Sequence, residues 1–287
     1  VIVTRTPGGI SNEHLFYNAE AVVYVEGGDA SAPRPTESLD LLFWRGLFEV
    51  FLAGRRFYFK PRGGKPTLLQ IADEIENGTV TAAIVCLDRD HDHVTGLRKT
   101  TGILYTRGYS WENDVWLAGT IEEEFYTLCG VDRHSTRVRA HIDDSLRDFA
   151  GRARWAVRAD VLAAVCGRTV IPRDNFRCVT PPGRGWPKVD RAFLKSCVSR
   201  TRSEVAGTAM RLPSHIQVDT LRDVYGHLLA FYCRRILAQL LKTHCKESIR
   251  NEHASAIAIK LAREGMPPGI RKYYEQQFAR LANGGSR

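Results

Sequence analysis

Three aspartates alternate with basic residues in Leu87-Asp88-Arg89-Asp90-His91-Asp92-His93, directly after the apolar run Ala82 to Asp88 (AAIVCLD). Such a run reads as a buried strand. Alternate positions of an extended chain point the same way, so Asp88, Asp90 and Asp92 are expected to line one side of a mouth. Like charges packed together repel unless a cation compensates them. Mg²⁺ is the expected ion, with Mn²⁺ able to substitute, because it takes hard oxygen ligands and keeps positions for water and substrate phosphate. Glu26 ends a second apolar run, Ala21 to Glu26 (AVVYVE), and precedes Gly27-Gly28. Acids from two strand ends can support one metal ion, or two ions about 3.5–4 Å apart as in phosphoryl-transfer enzymes.

Competing readings of the acidic run are weaker. An EF-hand loop needs Gly after Asp92 and Glu at its twelfth position, which here is Lys99. Asp90-His91-Asp92-His93-Val94 has the D-x-D-x-V form of haloacid-dehalogenase-like phosphatases, but that motif follows the first strand and two strands precede it here. The apolar strand before the acids argues against a merely solvated turn. Gly63-Gly64-Lys65 offers close backbone approach and a cation for developing phosphate charge, or else a plain turn. His91 and His93 are expected as exposed neighbours of the acids, with proton donation the sharper alternative.

Several elements must position these residues. Leu39, Leu42, Phe43, Leu47, Val50 and Phe51 recur at helical spacing, Arg56 to Lys60 reads as a second strand, and Thr67 with Gln70 has the spacing of a capping box. Ile103 to Arg107 reads as a fourth strand, and a helix follows through Ile121 to Cys129. This order predicts an α/β fold: a mostly parallel sheet flanked by helices, with chemistry at the carboxyl ends of its strands. The loop from Tyr105 to Trp116 is rich in aromatics, and a packed shelf is expected there in preference to base stacking.

Beyond about residue 135 the pattern becomes helical, over Ala140–Val165, Asp190–Val205, Thr220–Lys242, Glu252–Glu264 and Ile270–Ala282. Residues 1–135 therefore read as a catalytic domain and 136–287 as a mainly helical one. Ile171 to Lys188 reads as an exposed Pro/Gly-rich loop. Charge divides likewise. Residues 1–130 hold 12 Lys and Arg against 18 Asp and Glu, and the remainder holds 29 against 14. A basic second half suits a polyanion, and Arg152, Arg154, Arg158, Arg173, Arg177, Arg184 and Lys188 are the candidate nucleic-acid contacts.

Seven scattered cysteines without a C-x-x-C pair argue against a disulfide framework, and most are expected to be small buried hydrophobes in a reducing cytoplasm. No apolar stretch of about 18 residues predicts a membrane span. No basic segment followed by an apolar run predicts a signal peptide.

The motifs together resemble a known family. Glu-Gly after the first strand with D-x-D-x-D after the third is similar to the Toprim domain of topoisomerases, primases and OLD nucleases. Val25-Glu26-Gly27-Gly28-Asp29, Phe59-Lys60, Gly63-Gly64-Lys65, Val85 to Asp90 and Tyr105 to Asp114 resemble the DUF4435 family more closely, over residues 20–130. That family includes Toprim effector nucleases of the PARIS anti-phage system. The resemblance implies a catalytic set of Glu26, Asp88, Asp90 and Lys65. It further implies Mg²⁺ held by Glu26, Asp88 and Asp90, with Asp92 and Glu112 supporting. Its implied substrate is RNA, tRNA in particular, with DNA still open; an ABC-type ATPase is the implied partner, and homodimerisation is compatible. Val224-Tyr225-Gly226-His227-Leu228-Leu229 resembles the family's H-G-K-x-L-L type segment imperfectly, its Lys being absent, so His227 carries no expected catalytic role. A catalytically silent sensor or docking subunit of such an ATPase complex is the alternative function.

Overall fold

The computed structural model describes residues 7–27, 38–98, 100–130, 135–174, 176–180, 185–205, 216–245 and 248–284. The chain forms two compact units that interleave along the sequence. Unit 1 comprises Val1–Asp88, Arg98–Arg107 and Met266–Arg287; unit 2 comprises Arg89–Leu97 and Gly108–Gly265. This division does not follow a single cut near residue 135, because the C-terminal helix packs with the N-terminal sheet.

Numbered along the chain, unit 1 contains α1 (Pro7–Ser11), α2 (Glu13–Phe16), β1 (Ala21–Val25), α3 (Leu39–Phe51), β2 (Phe57–Pro61), α4 (Lys65–Glu76), β3 (Ala83–Leu87), β4 (Ile103–Tyr105) and α13 (Pro268–Gly284). The four strands form one all-parallel sheet in the order β2-β1-β3-β4. Every residue of β1 and β3 is buried, which is why their sequences are unbroken apolar runs and not alternating ones. Ser38 caps α3 by accepting a hydrogen bond from the Leu41 amide. Helix α4 starts at Lys65, three residues before the point the Thr67/Gln70 spacing suggests. Pro66 in its first turn presets the backbone and Gly64 serves as N-cap. Phe278 of α13 meets the Phe48 ring edge-on at 4.9 Å, and Tyr274 lies 6.3 Å from Trp44. The apolar stripe of α13 is thus spent on α3.

Unit 2 contains α5 (Asp92–Thr95), α6 (Trp111–Val115), α7 (Ala118–Cys129), α8 (Thr136–Ala164), α9 (Arg191–Glu204), α10 (Thr220–Asp223), α11 (Gly226–His244) and α12 (Asn251–Glu264). The segment expected as one helix over 220–242 is two, broken at Val224-Tyr225. Asn113 Nδ2 donates to the carbonyls of Leu221 (2.7 Å) and Val224 (2.9 Å), satisfying groups that a continuous helix would have bonded internally. Of the aromatic loop, Tyr105 in unit 1 and Trp111 and Trp116 in unit 2 are buried, while Tyr109 is half-buried. The Pro/Gly-rich segment is less exposed than its composition suggests, since Ile171, Cys178 and Val179 are buried. No helix among the described residues is long and apolar enough to cross a membrane.

Cysteine usage departs from expectation. Cys86, Cys178, Cys197 and Cys233 are buried thiols, but Cys129 and Cys245 form a disulfide joining the ends of α7 and α11. Spacing along the chain gave no hint of it because 116 residues separate the pair. Glu124 of α7 is fully buried, with no hydrogen bond to either carboxylate oxygen among the described residues. Burial raises its pKa from 4.5 to about 8, with the charge of Arg234 acting in the opposite direction.

Two outcomes are expected. Between pH 4.5 and about 8 the folded chain keeps a proton on Glu124 that the unfolded chain has released, so the contribution of this group to stability is fully present below this window and is lost as pH rises through it. In thermal melts across that range, Glu124→Gln should flatten the decline; an unchanged slope would contradict the assignment. Reducing the disulfide, or replacing both partners with Ser, should cost about 2–4 kcal/mol in chemical denaturation, since the bond closes a long loop.

Candidate functional site

In unit 1, β1 and β3 are hydrogen-bonded neighbours with Val25 opposite Cys86. Their carboxyl ends therefore emerge together, Glu26 one residue past Val25 and Asp88 one past Leu87. Both acids are half-buried. Gly27 donates its amide to the Gly63 carbonyl (2.9 Å), tying the turn after β1 to the turn after β2. Its φ of +94° suits glycine, and a Cβ there would lie 2.9 Å from Asp40 Oδ2. That junction brings the first turn of α4 to Glu26: the Lys65 amide donates to Glu26 Oε1 at 3.2 Å. A helix N-terminus favours a carboxylate at this place. Lys65 Nζ reaches the other strand end and donates to the Asp88 backbone carbonyl at 2.8 Å. Glu26, Lys65 and Asp88 are thus brought together, with the ammonium resting on the Asp88 backbone carbonyl.

The other acids of the motif belong to unit 2, and extended alternation does not continue through them. The strand stops at Leu87; Asp90 has a left-handed backbone (φ +49°), and Asp92 opens the short helix α5. The Asp90 amide donates to the Tyr109 carbonyl at 2.7 Å. Arg89 and His91 turn inward instead of standing in solvent. Arg89 is 7% exposed and paired at 2.5 Å with Asp223, which is fully buried and also binds Arg222 at 3.0 Å. His91 is buried with Nε2 3.3 Å from Asp160 Oδ2. His93 is half-buried, and burial, helped by the charge of Arg89, lowers its pKa to about 4. Near neutral pH this favours the uncharged ring.

Asp160 was not singled out from sequence, although a carboxylate within the apolar stripe Ala153, Ala156, Val157, Val161 is a detectable anomaly. Its Oδ1 accepts from the amides of Val170 (2.6 Å) and Ile171 (3.1 Å), and its Oδ2 accepts from Arg173 Nη2 at 2.8 Å. Burial pushes the Asp160 carboxyl up, but the hydrogen bond with His91 and the charge of Arg173 outweigh it and leave it below its ordinary value. The Arg173 guanidinium lies 4.6 Å from the Tyr225 ring centre and 5.2 Å from that of Tyr109.

Glu112, an implied metal ligand, is buried on α6. Its Oε2 accepts a hydrogen bond from Ser110 Oγ, and its Oε1 lies 3.1 Å from His227 Nε2. His227 Nδ1 lies 3.1 Å from the Tyr225 hydroxyl. Gly226 is needed here: a Cβ would collide with Ser110 Oγ and sit 2.8 Å from Glu112 Oε2. Among the basic candidates, Arg152 is paired with Asp148 at 2.7 Å and Arg173 serves Asp160. Arg154, Arg158, Arg177 and Lys188 are exposed, while Arg184 lies outside the described residues.

Among the described residues no three His, Cys, Asp or Glu side chains are gathered as a metal-holding group. Mg²⁺ in phosphoryl-transfer sites takes only one or two protein carboxylates, the rest of its shell being water and substrate phosphate. The hard oxygens of Glu26 and Asp88 fit that requirement. Glu26 would hold the ion through Oε2, because Oε1 serves the Lys65 amide.

Asp160→Ala should destabilise the chain by about 3–5 kcal/mol in urea denaturation, because it removes the counter-charge of Arg173 and the acceptor of two buried amides. A loss below about 1 kcal/mol would show that the buried ion pair does not hold this region. No protein-family model matches the chain, and no curated protein matches it significantly.

Proposed function

We propose that the chain is a Mg²⁺-dependent nuclease of the Toprim type that cleaves phosphodiester bonds, with RNA, and tRNA in particular, as the favoured substrate. One observation carries the reading: Glu26 and Asp88 stand at the carboxyl ends of adjacent parallel strands, bridged by Lys65. In open α/β sheets that edge is where ligands bind. When bound, Mg²⁺ would supply positive charge to the phosphate and render the attacking water more acidic.

The chain's own groups have separable tasks under this reading. Glu26 keeps its carboxylate aimed by the Lys65 amide and presents Oε2 either to the ion or to the attacking water, whose proton it would then take. Lys65 holds its ammonium at the end of β3, where charge develops on the transferred phosphate. Arginines of unit 2 supply affinity for the polyanion. Resemblance to DUF4435 extends the proposal to an anti-phage effector working with an ABC-type ATPase.

The test incubates the full chain with labelled tRNA, single-stranded DNA and duplex DNA, in Mg²⁺ or in EDTA. Cleavage of RNA in Mg²⁺, abolished by EDTA, is expected. Glu26→Ala should slow it by about 10²-fold or more, and Lys65→Met by about tenfold or more. If Glu26→Ala cuts as fast as the parent, or no substrate is cut, the nuclease reading is wrong and a binding subunit becomes the better account.

A further inference from the structure

Helix α8 uses its arginines unequally. Arg139 pairs with Glu122 and Asp143 at 3.0 Å, Arg147 with Asp144 at 2.6 Å, and Arg152 with Asp148 at 2.7 Å. Further along, Arg154 and Arg158 are exposed, and the described residues offer neither an ion-pair partner. Their spacing of four residues places them one above the other on a single face of the helix. Both line a cleft of about 290 Å³ together with Ile216, Gln217 and Val218. Gln217 is itself held in place, its carbonyl accepting from Arg222 Nη2 at 2.8 Å.

Two guanidiniums stacked one helical turn apart repel each other until an anion lies between them. Their planar forks match phosphate oxygens two by two, a geometry that an ammonium does not offer. The cleft is at the small end of ligand pockets, which run from about 300 to 1,000 Å³. We infer that Arg154 and Arg158 form a phosphate-binding cleft that grips a single phosphate of a nucleic-acid strand. Paired arginines on the same helix contribute only background charge. The nucleic-acid identity of the ligand rests on the proposed function, whereas the phosphate site itself stands apart from cleavage.

Binding is measured with the full chain in EDTA, so that no cutting occurs, by the anisotropy of labelled single-stranded RNA and its displacement by inorganic phosphate. Arg154→Ala/Arg158→Ala should weaken RNA binding by about 10–100-fold. It should also reduce the steepness of log K against log salt by about 0.7, the value for one phosphate contact on a single strand. Arg139→Ala/Arg147→Ala removes equal formal charge from paired positions and should stay within about twofold of the parent. Arg154→Lys/Arg158→Lys keeps the charge and should fall between the two. RNA with and without a 5′-phosphate locates the phosphate: equal losses indicate an internal phosphodiester, and a loss confined to phosphorylated RNA indicates the terminus. Both results support the cleft. Parental affinity in the first double variant, or equal losses in the two alanine doubles, would overturn it. Because cleavage is not read here, a failed nuclease assay leaves this result intact, and the reverse also holds.

Discussion

The pairing of β1 with β3 is the constraint on which unit 1 depends. Both strands are buried along their whole length, so their amides and carbonyls have no recourse to water and must be satisfied by the ladder. Parallel pairing then sends both carboxyl ends out at the same edge of the sheet, and a crossover has to return the chain each time. The remaining parts of the unit follow from that requirement. Helix α3 carries the chain to the outer strand β2, and α4 carries it back to β3, which delivers the first turn of α4 to Glu26. At the far strand, the Tyr273 hydroxyl donates to the carbonyls of Tyr105 and Thr106, and the Tyr274 hydroxyl accepts from the Arg107 amide. The short strand β4 is thereby held in its register by a helix from the other end of the sequence.

Unit 2 relies on a different device. Its helices are joined through buried carboxylates and one amide that complete the hydrogen bonding of segments without regular partners. Asp160 binds the amides of Val170 and Ile171, Asp223 accepts from the Asp219 amide, and Asn113 closes the break between α10 and α11. Each charged member is compensated, Asp160 by Arg173 and Asp223 by Arg89 and Arg222. Glu124 shows the contrasting solution: deep burial without a hydrogen bond makes the neutral acid the stable form. A buried carboxyl group is therefore an ion where an arginine pairs with it directly, and neutral where, among the described residues, no donor reaches it.

Arginine content is high, yet the side chains serve separate purposes. Arg89 and Arg173 are internal supports, and Arg139, Arg147 and Arg152 decorate surface carboxylates. Exposed ion pairs of the latter kind contribute little to stability. Net charge of the second half thus overstates the charge on offer to a ligand, and the cleft at Arg154 and Arg158 is where cations are presented in a shaped place.

Much of the architecture was legible in the chain. The apolar runs at 21–25 and 83–87, the glycines beside Glu26 and Lys65, and the helical periodicity after residue 135 specify parallel strands, turns and helices through local sterics and burial. The placement of Glu26 and Asp88 at strand ends follows from the same signals, because strand direction alone decides at which edge of the sheet each end emerges. Partners distant in sequence were not legible. Cys129 meets Cys245 across 116 residues, Asp160 meets His91 and Arg173, and Phe278 returns to Phe48. The left-handed turn at Asp90 and the helix at Asp92 escaped for a related reason: once the ladder ends, backbone direction is decided by long-range contacts such as the Tyr109 carbonyl on the Asp90 amide. Sequence alone therefore determined the elements and their polarity, which are local properties. Tertiary structure decided which charges are buried, compensated or left for a ligand, because that depends on the neighbours folding brings in.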